Sequence, residues 1–64
     1  MLDPYAYAMG KFIDACFNDM ADERITEEES ERRQDEAQLC GTAQAIIKLG
    51  AKYGYIIKIP KGNQ

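Results

Sequence analysis

The chain has no histidine and no tryptophan, only two cysteines and two prolines, and no acidic residue beyond position 36. Each absence narrows the chemistry. Without histidine it lacks the side chain most used as general base and metal ligand near neutral pH. Cys16 and Cys40 both fall on apolar stripes, where a thiol is buried and inert rather than nucleophilic. Two cysteines without histidine also make a poor metal set. The glycines are scattered as Gly10, Gly41, Gly50, Gly54 and Gly62, so no loop is built to cradle a phosphate. No basic N-terminal segment leads into an apolar stretch, and no apolar run approaches membrane-spanning length. The expectation is a cytoplasmic protein with reduced thiols, no membrane contact, no cofactor, no metal and no enzymatic activity.

What is present is small and charged. The 64 residues are 45% hydrophobic and 30% charged, with a formal net charge of −3. They are expected to form one domain, residues 1–60, with 61–64 a disordered tail. A core of this size contributes only about 3–5 kcal/mol, so a partner subunit is an expected supplement. Charge is unevenly placed. Residues 19–36 hold nine acids against Arg24, Arg32 and Arg33, whereas residues 37–64 hold Lys48, Lys52, Lys58 and Lys61 and no acid. An acidic middle and a basic end can attract each other, within a chain or between two.

Asp3 followed by Pro4 reads as an N-cap and first helical position. Tyr5, Ala8, Met9, Phe12, Ile13, Cys16, Phe17 and Met20 then recur at helical spacing, predicting an amphipathic helix over 4–21. Thr26 and Glu29 form a capping box, with Glu28/Arg32 and Glu29/Arg33 as supporting i,i+4 pairs. Helical propensity then continues to Gly54, which suits a left-handed C-terminal position. The prediction is one long helix over 27–53.

That helix is divided in composition. Nothing from Glu27 to Glu36 is apolar, while Leu39, Cys40, Ala43, Ile46, Ile47 and Gly50 form a stripe. If the two helices fold back at 23–25, then Phe12, Cys16, Phe17 and Met20 face only polar positions. Either the charged stretch loops out, or the first helix packs on another chain. The strong capping and pairing at 26–33 favour the second solution, and the same register holds Cys16 and Cys40 too far apart for a bridge. Ala6/Gly10 and Gly41/Ala45, spaced by four, are candidate close helix crossings.

"YIIKI", residues 55–59, alternates as a β-strand, with Pro60 to end it. A lone strand needs a neighbour. The expected fold is therefore mainly α, with helices at 4–21 and 27–53 and a C-terminal strand at 55–59, in an intertwined homodimer that pairs the strand across chains. Phe12, Phe17, Tyr55, Ile57 and Ile59 are the expected interface residues, with Tyr7 an additional candidate anchor.

Asp19, Asp22 and Glu23 sit at i, i+3 and i+4, the spacing of a solvated acidic face, and the calcium-loop pattern is absent. Carboxylates along a helix also imitate nucleic-acid phosphates, and Asp22, Glu23, Glu27, Glu28 and Glu31 are the expected partner-facing surface. The function expected from these features is non-catalytic protein binding, as a small regulator or inhibitor. A phage or mobile-element antirepressor, or a blocker of a host nucleic-acid-binding protein, fits the size. The alternative is a nucleic-acid-binding transcriptional regulator that uses the lysines of the C-terminal half. Against it, no turn interrupts the second helix to make a helix-turn-helix.

Overall fold

In the computed structural model, which describes residues 3–61, the chain forms α1 (Pro4–Ala21), α2 (Glu27–Gln38) and α3 (Ala43–Lys52). The fold is mainly helical, as expected, but the predicted second helix is two. α1 begins where the sequence places it: the Asp3 carboxylate accepts from the N–H groups of Tyr5 (3.0 Å) and Ala6 (3.4 Å). It ends in a Schellman motif, with Arg24 N–H donating to the Asp19 carbonyl (2.8 Å) and Glu23 N–H to that of Met20 (3.0 Å). The left-handed position of that motif is held by Glu23, with φ of 62°, and not by a glycine.

α2 starts on Thr26, whose hydroxyl accepts from Glu29 N–H at 3.0 Å. The Glu29 carboxylate does not complete the capping box, because Arg32 and Arg33 hold it. The predicted Glu28/Arg32 pair is replaced by Arg32 bridging Glu29 and Glu36.

The break at 39–42 corrects the long helix. Thr42 leaves the helical region (φ −140°, ψ 160°) and its side chain accepts from Ala45 N–H at 3.1 Å, capping a new helix. A threonine offers the backbone this alternative wherever tertiary packing rewards it, and Gly41 beside it weakens helix continuation. The Tyr5 hydroxyl donates to the Cys40 carbonyl at 3.0 Å, satisfying an oxygen at the break. The packing gain is large, since α3 can now turn its apolar stripe onto α1.

α1 therefore packs against both α2 and α3. Ala8, Phe12 and Cys16 are fully buried on its inner face. Small residues, Ser30 and Ala37, line the α2 side of the seam, and Ile46 and Gly50 the α3 side. The polar half of the predicted helix thus need not bury the large residues of α1. It approaches closely through Ser30 and Ala37, and apolar cover comes from α3 and the C-terminal segment.

Among the described residues there is no β-strand, so the strand at 55–59 is not formed. The period-two alternation survives as burial: Tyr55 and Ile57 are buried and Ile59 half-buried, while Ile56 and Lys58 are exposed. A second Schellman motif at the end of α3 turns this segment back. Gly54 has φ of 85°, and Tyr55 N–H donates to the Gly50 carbonyl at 2.7 Å. The return is tight at Gly50, where a Cβ would lie 2.9 Å from Ile57 Cδ1 and 3.2 Å from the Tyr55 carbonyl, so a larger residue would have to displace both. Side chains inserted into the chain's own core, rather than a strand ladder, anchor the segment.

Both arguments for a second chain weaken within one chain: Ala8, Phe12 and Cys16 of α1 are covered, although Phe17 stays half-exposed, and the C-terminal segment is held. Neither requires an intertwined dimer. At Gly10 and Gly41 a Cβ would meet nothing, so the expected close crossings at those residues are absent. Cys16 and Cys40 are free thiols. The tail expected at 61–64 lies, from residue 62 onward, outside the described residues.

Candidate functional site

Folding sorts the acids of residues 19–36 into two sets. Asp19, Glu29 and Glu36 face inward and are engaged. Arg33, with its side chain only 15% exposed, donates from Nε to Glu29 (2.7 Å) and from Nη1 to the Tyr55 hydroxyl (2.9 Å). That hydroxyl donates in turn to Asp19 Oδ2 at 2.9 Å. The Arg33 guanidinium lies 4.1 Å from the centroid of the Tyr53 ring, and Tyr53 donates its hydroxyl to Glu36. Phe12 meets the Tyr55 ring edge-on at 5.4 Å, joining this polar seam to the core. The network spans all three helices and the C-terminal segment.

The electrostatics follow from these contacts. Hydrogen bonds from Arg32 and Arg33 hold the Glu29 carboxyl down at about 2. The Tyr53 hydroxyl, with Lys52 beside it, keeps Glu36 below the usual carboxylate range. Burial pushes the Tyr55 phenol up to about 12, and its bond to Asp19 adds to this. Burial works against the Arg33 charge, yet Glu29 and Tyr55 hold its pKa above the ordinary value. Burial also raises the Cys16 thiol, leaving it further from its nucleophilic form.

The second set faces out. Asp22, Glu23, Glu27, Glu28, Glu31 and Asp35 are exposed, and none has an ion-pair partner among the described residues. Five of these are the residues expected to face a partner, and Asp35 joins them. Of the three interleaved arginines, Arg32 and Arg33 are occupied by Glu29 and Glu36, and Arg24 lies 4.0 Å from Asp19.

The expected interface residues fall elsewhere. Phe12, Tyr55 and Ile57 sit in the chain's own core, Ile59 is half-buried, and Phe17 is half-exposed on α1. Tyr7 is half-buried with the Lys11 ammonium 5.4 Å from its ring centroid.

At the α2–α3 corner, Lys48, Lys52 and Glu36 line an open groove of about 520 Å³ together with Leu39, Ala45 and Leu49. Leu39 is 86% exposed. Sequence reasoning missed this corner because it placed Leu39 inside a continuous apolar stripe. It also missed the inward role of Arg33. The signal for that was the row Ser30, Arg33, Gln34 and Ala37, which shares one helix face at i, i+3, i+4 and i+7.

No family model, curated protein or solved structure matched the chain. The functional reading therefore rests on its own residues. Among the described residues, no helix is long and apolar enough to cross a membrane.

Proposed function

We propose that the protein is a small non-catalytic binding protein whose acidic outer face, on α2 and the α1–α2 turn, engages a basic surface of another protein. The sorting of the acids carries this reading: six carboxylates face solvent unpaired, while Arg32 and Arg33 are used internally. Along α2, Glu27, Glu28, Glu31 and Asp35 span about 12 Å of axis, one charge per 3–4 Å. A single DNA strand carries one per about 3.4 Å. Such a face suits the basic groove of a nucleic-acid-binding protein. The corresponding role is a regulator or inhibitor, of the kind a phage or mobile element uses as an antirepressor or as a blocker of a host nucleic-acid-binding protein.

The test is affinity capture from a cell lysate with the native chain and with a Glu28→Lys/Glu31→Lys variant, both checked for helicity by circular dichroism. A nucleic-acid-binding protein retained by the first and lost by the second is the expected result. Capture indifferent to the reversal overturns the assignment of the surface.

One observation favours a second reading, direct nucleic-acid binding. α2 and α3 are joined by the four residues Leu39–Thr42, including Gly41, a connection of helix-turn-helix length. The uninterrupted helix that argued against this motif is not what forms. Charge weighs the other way: Glu27, Glu28, Glu31 and Asp35 would lie on the helix nearest the phosphates. Lys52 is drawn to Glu36 at 3.5 Å.

A further inference from the structure

We infer that the groove at the α2–α3 corner binds a small organic anion with an apolar body, such as an aryl or alkyl carboxylate or sulfonate. The apolar body lies on Leu39, Ala45 and Leu49, and the anion meets Lys48. The groove's volume of about 520 Å³ falls within the range of small-molecule sites, which are mostly apolar with a few polar groups to orient the ligand. Leu39 is 86% exposed, so an occupant that covers it removes apolar surface from water.

Charge selects the occupant. Three charged side chains line the groove, Glu36, Lys48 and Lys52, and two of them are spent on each other. The Glu36 carboxylate accepts the Tyr53 hydroxyl and lies 3.5 Å from Lys52 Nζ and 3.6 Å from Arg32 Nη1. Lys48, one turn before Lys52 on α3, is exposed and has no ion-pair partner among the described residues. The unspent charge of the groove is therefore positive. A cation would be repelled by Lys48 and a neutral apolar molecule would leave it unused, whereas an anion gains a charge-assisted hydrogen bond. The site is independent of the functional reading above, since none of Asp22, Glu23, Glu27, Glu28, Glu31 and Asp35 lines it. Cys40 does line it and is half-buried, while Cys16 is fully buried, so one thiol of the two reports on occupancy.

The test is a fluorescence titration of the chain into dilute anilinonaphthalene sulfonate, with phenylnaphthylamine, its uncharged counterpart, in parallel. The sulfonate should bind with a Kd of about 0.1 mM, and the amine about tenfold more weakly. Leu39→Ser and Lys48→Glu should each weaken sulfonate binding about tenfold with unchanged helicity, since both side chains are exposed. Lys58→Glu makes the same change of charge outside the groove and should leave binding as it was. Alkylation of Cys40 by iodoacetamide should slow in the presence of saturating sulfonate. No binding below about 1 mM overturns the proposal. So does binding insensitive to Leu39→Ser or to Lys48→Glu, or binding that leaves Cys40 unprotected, because the dye then sits elsewhere. Equal affinity for the two probes, or equal weakening by Lys58→Glu, overturns the selection of an anion by Lys48.

Discussion

Arg33 shows how a charged residue can organise a core too small to rely on apolar burial. It lies in the seam between α1 and α2, stacks on Tyr53, and shares hydrogen bonds with Glu29 and Tyr55. The arrangement makes stability depend on pH. Glu29 is held at about 2 in the fold against an ordinary value near 4.5, so its contribution is complete above about 4.5 and is lost as pH falls toward 2. Urea midpoints measured between pH 5 and pH 2 should fall accordingly, and Glu29→Gln should flatten the decline. Glu23 is the opposite case, a residue at odds with its backbone. Its φ of 62° favours glycine, so Glu23→Gly should stabilise the chain by about 1 kcal/mol in urea unfolding. The pairing of Glu29 with Arg33 was legible from i,i+4 spacing. The bonds that draw Tyr53 and Tyr55 into the network link residues 17 to 36 positions apart, and no local pattern announces those.

At the scale of elements, the starts of α1 and α2 were legible because caps are local chemistry: Asp3 and Thr26 accept from the first free N–H groups, and Pro4 has its φ set for the first helical position. The division at 39–42 was not. Leu39, Cys40, Gly41 and Thr42 sit between two strongly helical stretches, and propensity alone continues the helix through them. What decides is tertiary, since only a bent chain can present Ile46 and Ala37 to the same helix. The mismatch between α1 and the polar half of the long helix was the visible symptom, but the charged stretch does not loop out: it stays helical as α2. The break instead follows that stretch, at Thr42. Thr42→Ala should cost about 1 kcal/mol in urea unfolding through loss of the α3 cap. The C-terminal segment was legible in its alternation but not in its partner. Ile57→Asp puts a charge beside Gly50 in the core and should cost about 4 kcal/mol, enough to unfold a chain of this size. Ile56→Asp on the same segment should cost less than about 0.5 kcal/mol. Circular dichroism melts of the two variants separate an inward-packed segment from a strand paired on another chain.

The whole molecule is two-sided. The acids of residues 19–36 are divided between an internal network and an outward face, and four of the five lysines lie on α3 and the C-terminal segment. The placement of the outward acids was readable in the sequence because helix periodicity alone separates positions 27, 28, 31 and 35 from 29, 33 and 36. The function was not, since an acidic face has no motif and its meaning depends on the surface it meets. The central claim is that this face meets protein and that the lysines do not serve nucleic acid. A filter-binding titration against duplex DNA at low and moderate salt tests it most directly. The account predicts no appreciable binding up to about 100 μM, because the unpaired carboxylates of α2 would lie against the phosphate backbone. Tight, salt-sensitive binding that is lost on Lys48→Glu would contradict it and make the α2–α3 corner a nucleic-acid reader.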